Sequence, residues 1–241
     1  MLQVYDIEEI KKSTVIGIFG KPGTGRTNLL TKVIDTLAFC KNHSDRHTVF
    51  LMAEKSAARV AAKKEFIGQV FISGPDDTHI IENFCEKQLK KRTETGGCDK
   101  ICIVIDSWDK LDFLSKYKSL ATIIFSPEQY SAKIIFSGSS FGTFGRSSKK
   151  IFDTAFFFWD SSVFHTSQIN FHFFGNYSIN FFDGITADEL FTALVIDVNR
   201  GGSKFKYKAP LRQTFMTKII NKFKKNIMVN ISYADMDIYF Q

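Results

Sequence analysis

The stretch Gly20-Lys21-Pro22-Gly23-Thr24-Gly25-Arg26-Thr27 decides how this chain is read. A short apolar run, Thr14–Phe19 (TVIGIF), precedes it and reads as a buried strand. Asn28–Cys40 follows, with Leu29, Leu30, Val33, Ile34, Leu37 and Ala38 at helical spacing. A Gly-rich turn between strand and helix is the setting of the phosphate loop, whose pattern is Gly, four variable residues, then Gly-Lys and Ser or Thr. Gly20, Gly25 and Thr27 are in register with that pattern, and Arg26 stands where it has Lys. The chemistry explains the spacing. Glycines let backbone N–H groups wrap an anion, and the helix N-terminus adds its dipole. The cation reaches the terminal phosphates and the hydroxyl binds Mg²⁺. This assigns nucleotide binding to Gly20, Lys21, Gly23, Thr24, Gly25, Arg26 and Thr27, with ATP and Mg²⁺ as the cofactors. A plain Gly-rich turn that binds nothing is the competing reading. A guanidinium is larger and planar where an ammonium is a point charge, so Lys21 is expected to compensate in part.

Working outward, Lys100–Asp106 (KICIVID) is an apolar strand that ends in an acid. In a phosphate-loop protein such an acid holds Mg²⁺ through water, which makes Thr27 and Asp106 the metal pair. Otherwise Asp106 is a strand-end acid that caps the next helix. Hydrolytic proteins of this kind carry a second acid directly afterwards, as base for the attacking water, and here that position is Ser107. Asp109 substitutes only if the turn permits. The candidate catalytic residues are therefore Arg26, Asp106 and Asp109.

Further strands are expected at His47–Met52, Gly68–Ser73, Lys133–Ser137 and Thr154–Trp159. Leu194–Val198 and Lys204–Lys208 read as a hairpin across Gly201–Gly202. Helices are expected at Ser56–Phe66, from Asp76 or Asp77 to about Arg92, from about Lys110 to Phe125, and at Thr186–Ala193, with Thr186 capping and Glu189 at the capping-box position. Alternating helices and fully apolar strands imply an α/β fold: a mainly parallel central sheet flanked by helices, with a C-terminal β-hairpin.

The 241 residues are 44% apolar and 24% charged, a globular mixture that excludes a disordered chain. Phe is over-used, with 26 copies, and reads as core filler. The net charge of +7 favours polyanion partners. The excess is uneven: Arg200 to Lys225 holds nine basic residues and no acid, either a phosphate-contacting surface or a solvated Lys face. Cys40, Cys85, Cys98 and Cys102 form no C-x-x-C pair, so reduced thiols in a cytosol-like compartment are expected. Cys98 and Cys102 as metal ligands is the weaker alternative. No apolar run approaches the ~20 residues that span a bilayer. Two parts are expected, a nucleotide-binding domain over 1–215 and a basic extension over 216–241.

Taken together, four blocks resemble the poxvirus-type genome-packaging ATPases of large DNA viruses, within the HerA/FtsK superfamily. They are Gly20–Thr27, Ile101–Asp106, Lys133–Phe144 (KIIFSGSSFGTF) and Phe191–Pro210 (FTALVIDVNRGGSKFKYKAP). The resemblance implies an ATPase with deviant Walker motifs that drives double-stranded DNA into a capsid. It implies a ring of five or six subunits with ATP between them, and capsid or inner-membrane proteins as partners. It places the chain in the virion or the host cytoplasm, with no transmembrane segment of its own. Four positions depart from the family: Arg26, Ser107, the segment Ser126-Pro127-Glu128-Gln129-Tyr130 where relatives carry Gly-Arg-His, and Ser139 where a polar sensor is expected. They raise a second reading, a catalytically impaired paralogue that acts in assembly, unless Gln129 and Arg146 have taken over the sensor and arginine-finger roles. Phe141 and Phe144 are either a pore loop or anchors of a surface loop. An unrelated phosphate-loop protein is the third reading. A Lys directly after the first Gly, as at Lys21, also occurs in partitioning ATPases of the ParA/MinD type. The further acidic motif of those proteins and the Arg-rich lid of a small-molecule kinase are both absent from the sequence.

Overall fold

The structure, a computed structural model, describes residues 2–38, 43–52, 70–73, 78–106, 117–139, 141, 152–159, 169, 173 and 191–209. Its strands are β1 (Val15–Phe19), β2 (Thr48–Met52), β3 (Val70–Ser73), β4 (Ile101–Asp106), β5 (Ala132–Gly138), β6 (Thr154–Phe158), β7 (Thr192–Asp197) and β8 (Ser203–Lys208). The helices are α1 (Arg26–Ala38), α2 (Thr78–Thr95) and α3 (Lys118–Phe125). Every residue of β1, β4, β6 and β7 is buried. Strands apolar on both faces need cover on both faces, and that requirement produces the layered α/β arrangement.

The eight strands form one sheet in the order β3-β2-β4-β5-β1-β6-β7-β8. The first six run parallel, and β7 and β8 close the sheet as an antiparallel hairpin. The mainly parallel sheet and the C-terminal hairpin agree with the sequence reading. On one face α1 buries Leu29, Leu30, Val33, Ile34 and Leu37 against Ile16, Ile18, Val104, Ile135 and Phe156. Each such side chain contributes roughly 1.5–3 kcal/mol on burial. On the other face Phe19, Phe141, Phe152 and Phe157 make an aromatic cluster, with ring centroids 5.2 to 5.5 Å from Phe19. Phe141 is fully buried there, so it is a core residue and not part of a pore loop; Phe144 lies outside the described residues.

α2 and α3 cover this second face, and a carboxylate joins them. Glu82 accepts hydrogen bonds from the Ser119 and Leu120 amides, both at 2.8 Å, and so satisfies the first turn of α3. Asp153 starts β1 in the same way, accepting from the Thr14 and Val15 amides at 2.7 and 2.9 Å. Before β1, Ile7–Lys12 forms a 3-10 helix capped by Asp6. The preceding residues cover the outer edge of β8: Tyr5 N donates to Lys206 O and Lys206 N to Gln3 O, both at 2.8 Å.

Two expectations are overturned within the described residues. The helix expected from about Lys110 to Phe125 is not continuous: it starts at Lys118, and Tyr117 before it is non-helical, with φ -119° and ψ 89°. The helix expected at Thr186–Ala193 does not reach its end: Phe191 is a turn residue, and Thr192 and Ala193 open β7, Thr192 paired with Lys208 of β8 and Ala193 with both Tyr207 of β8 and Phe158 of β6. Ladder pairing outweighs the local helical pattern. The expected helix at Ser56–Phe66, residues 186–190 of the helix expected at Thr186–Ala193, residues 110–116 of the helix expected from Lys110, and the capping Asp76 and Asp77 lie outside the described residues. Contacts divide the chain after Pro210, and all described residues belong to the first part. The boundary expected at 215 lies outside them, as does the basic extension.

Candidate functional site

Gly20 to Gly25 joins the C-terminal end of β1 to the first turn of α1. Gly20 N donates to Gly138 O at 3.1 Å, which ties the loop to the end of β5. Thr24 closes the turn, its amide and its hydroxyl both donating to Lys21 O, at 3.3 and 2.8 Å. Gly23 and Gly25 have φ of +84° and +101°, which side-chain-bearing residues rarely adopt. At Gly25 the glycine is required twice over, because a Cβ there would stand 2.8 Å from Cδ1 of Phe191. The first turn of α1 carries no acidic residue, so the positive end of the helix faces the loop uncompensated.

A cleft of about 200 Å³ opens at this point, and Lys21, Gly23, Gly25, Arg26, Thr27 and Phe191 are among its lining. Of the sequence-assigned loop residues, Lys21, Gly23, Gly25, Arg26 and Thr27 line the cleft, and Gly20 and Thr24 do not. Arg26 takes an unexpected pose. Its Nη1 donates back to Gly20 O at 2.9 Å, so the guanidinium braces the loop that it belongs to. One of its five N–H donors is used in this way.

Asp106 ends β4 and is buried. Alternation along β4 puts Cys102 and Val104 on the α1 face, and Asp106 shares that face. Parallel register sets Asp106 beside Ser137 of β5, and Ser137 beside Ile18 of β1. Ser137 is fully buried and its Oγ has no hydrogen-bond partner. A buried unpartnered hydroxyl is costly, and this one stands next to the acid and one strand from the loop. Ser139, the departure at the position where the family resemblance expects a polar sensor, is half-buried just beyond β5. The alternation Lys133, Ile135, Ser137 was the available signal, but only the β4–β5 register makes it legible.

Phe191 is the second residue that sequence reading missed as part of the site. It precedes β7 with φ of +60°, an uncommon value for a bulky side chain. Its carbonyl accepts from Ala209 N at 2.7 Å, which holds the strained residue in place. Gln129 lies away from this site. It is exposed in the 3-10 turn before β5, whose opposite end meets the loop. At about 3.3 Å per residue, the strand separates the two by roughly 20 Å, so Gln129 does not reach the loop of its own chain. Ser107, Asp109 and Arg146 lie outside the described residues. Cys102 is a core residue, its thiol pushed up to about 12 by burial.

No protein-family model and no curated protein sequence matches the chain. Solved structures do. The B204 DNA-packaging ATPase from Sulfolobus turreted icosahedral virus superposes with a TM-score of 0.57 at 12% identity, over 82% of this chain and 98% of that one. The fold is that of a P-loop NTPase. The genome-packaging NTPase B204 of Sulfolobus turreted icosahedral virus 2, in complex with AMPPCP, gives a TM-score of 0.56 at 12% identity over 83% and 100% of the two chains. EssC (ATPases 2 and 3) from Geobacillus thermodenitrificans gives 0.58 at 13% identity, over 88% of this chain and 43% of that one. Among the described residues no helix is long and apolar enough to cross a membrane.

Proposed function

We propose that this chain is an ATP-driven double-stranded DNA translocase of the genome-packaging type. The observation that carries the proposal is the sheet register, which brings Asp106 and Ser137 onto the α1 face beside the Gly20–Thr27 loop. The residues fit a triphosphate with its Mg²⁺. The loop offers backbone N–H groups, with Gly23 and Gly25 at positive φ and no room for a Cβ at Gly25, Thr27 lines the cleft, and the orphaned Ser137 hydroxyl lies beside the acid.

In this reading the Gly23–Thr27 amides and the helix dipole bind the phosphates. Arg26 keeps one N–H on Gly20 O and turns others to the terminal phosphates. Thr27 and Asp106 would hold Mg²⁺, which would supply charge neutralisation to the phosphates. Ser137 fixes the Asp106 carboxylate, and Asp109 serves as base for the attacking water. The partners are double-stranded DNA and further copies of the chain in a ring of five or six, with capsid or inner-membrane proteins at the assembly site. The location is the virion or host cytoplasm. The sequence blocks that resemble packaging ATPases of the HerA/FtsK type support the substrate. So does β8, where Phe205 and Tyr207 point into the core and Lys204, Lys206 and Lys208 share the opposite face. Their spacing of about 6.6 Å along the strand suits successive phosphates.

A second reading has its own observation. Arg26 is turned onto the loop, and Ser107 replaces the second acid, so the chain is alternatively an assembly component that has lost turnover. ATP turnover with and without double-stranded DNA separates the two. The translocase gives DNA-stimulated hydrolysis that drops at least 100-fold in Asp106→Ala, on the order of a ~3 kcal/mol loss. Turnover unchanged by that substitution refutes the site. Turnover absent from the native chain and restored by Arg26→Lys with Ser107→Glu establishes the impaired paralogue.

A further inference from the structure

We propose that Phe191 is the base shelf of this site: its ring stacks the purine of the nucleotide whose phosphates enter the Gly20–Thr27 loop. The inference rests on the nucleotide-binding reading and adds the ligand contact that no loop motif specifies.

The sheet order gives the direction. From β1, strands β5 and β4 lie to one side and β6 and β7 to the other. Asp106 and Ser137 are on the β4–β5 side, so the reacting end of a triphosphate belongs there. The other end must leave across the loop toward β6 and β7. There, among the described residues that line the cleft, the large aromatic group is Phe191. Phe191 lines the cleft with Lys21, Gly25, Thr27 and Asn28, and its ring packs where a Cβ on Gly25 would be. The cleft of about 200 Å³ is smaller than the ~300–1,000 Å³ that encloses a drug-sized ligand. It takes a phosphate chain, and the base has to rest on the rim, where Phe191 stands.

The pose of Phe191 also needs a reason. Its φ of +60° is unfavourable for a bulky residue, and Ala209 N holds its carbonyl at 2.7 Å. Core packing explains only part of this, because the ring is half-buried beside Phe158 and the remainder faces the cleft. A strained aromatic kept at the rim of a phosphate cradle matches a stacking surface, since every base presents a π-face.

The test uses the full chain with Mg²⁺ and two probes, ATP and inorganic tripolyphosphate, titrated into the native protein, Phe191→Ala and Phe191→Tyr. The native chain is expected to bind ATP more tightly than tripolyphosphate. Phe191→Ala should weaken ATP about tenfold, leave tripolyphosphate unchanged, and remove most of that difference, while Phe191→Tyr restores it. Phe191→Trp keeps a ring in place should the Ala variant fail to fold, and its fluorescence should be quenched by ATP and not by tripolyphosphate. Equal weakening of both probes overturns the inference, because Phe191 then acts only by shaping the loop at Gly25. So does equal affinity of the native chain for both probes, an outcome that leaves the phosphate-loop reading standing. Binding of neither probe removes that reading and the inference with it.

Discussion

Placing an Ala at Gly25 tests the site geometry apart from catalysis, and Gly23 supplies an internal control. Both glycines have φ near +90°, at +84° and +101°. A Cβ at Gly23 meets no atom within 4 Å, whereas at Gly25 it meets Phe191 at 2.8 and 3.3 Å and Phe158 at 3.4 Å. Gly23→Ala therefore reports backbone strain alone. That strain costs about 1–2 kcal/mol, offset by about 0.4–1 kcal/mol from the stiffer unfolded chain. Gly25→Ala adds an overpacking cost of about 1–3 kcal/mol, because Phe191 is held by its bond from Ala209 N and cannot retreat freely. The expected losses are about 1 kcal/mol for Gly23→Ala and about 2–4 kcal/mol for Gly25→Ala. The assay is urea unfolding of both variants, of Phe191→Ala, and of the Gly25→Ala/Phe191→Ala pair. The double variant should be more stable than the sum of its singles by about 1–2 kcal/mol, as contacting residues give in such cycles. Equal losses at the two glycines, with no coupling to Phe191, would refute the claim that the ring closes against the loop.

Two further predictions concern the scaffold. Burial, with Lys133 nearby, lowers the His47 imidazole to about 4 from its usual 6.5. The unfolded chain then binds the extra proton between those values, so stability is complete above about pH 7 and falls as the pH drops toward 4. The loss from pH 7 to pH 5 is about 2 kcal/mol from this residue, and a His47→Asn variant should lack that part of the slope in denaturant titrations at the two pH values. Removing the carboxylate that caps α3, in Glu82→Ala, leaves the Ser119 and Leu120 amides without their acceptor. A loss of about 1.5–3 kcal/mol is expected. Chemical unfolding reads it, and a loss under about 0.5 kcal/mol would mean that water replaces the carboxylate.

What could be read from the sequence was local. The strands β1, β4, β5 and β6 announce themselves because each is a short apolar run buried on both faces. The Gly20–Thr27 loop is legible because its glycines and hydroxyl obey a fixed spacing. Asp106 is legible because it ends an apolar strand. What escaped depends on pairing between distant segments. Glu82 caps a helix 37 positions later, and no window on either segment contains both partners. Ser137 becomes a neighbour of Asp106 only through the β4–β5 register, and a slip of one residue would turn it to the opposite face. Thr192 and Ala193 continue a helical pattern in sequence but lie in a strand, because β8 pairs with both and β6 pairs with Ala193. Phe191 gave no signal at all, since nothing in a Phe predicts a positive φ.

These escapes share a cause that bears on the site. The loop sits where strand order divides: β2 to β5 fill the sheet to one side of β1, and β6 to β8 fill the other. Ligands of open α/β sheets bind at the carboxyl ends of strands at such a division. The acid and the hydroxyl come from one side of the sheet and the aromatic rim from the other, with the Gly20–Thr27 loop between them. Arg26 fits this arrangement better than its departure from the motif suggests. A Lys would place one point charge in the cradle, whereas the guanidinium reaches back to Gly20 and still has four N–H donors to offer. The substitution thus exchanges a mobile charge for a braced one.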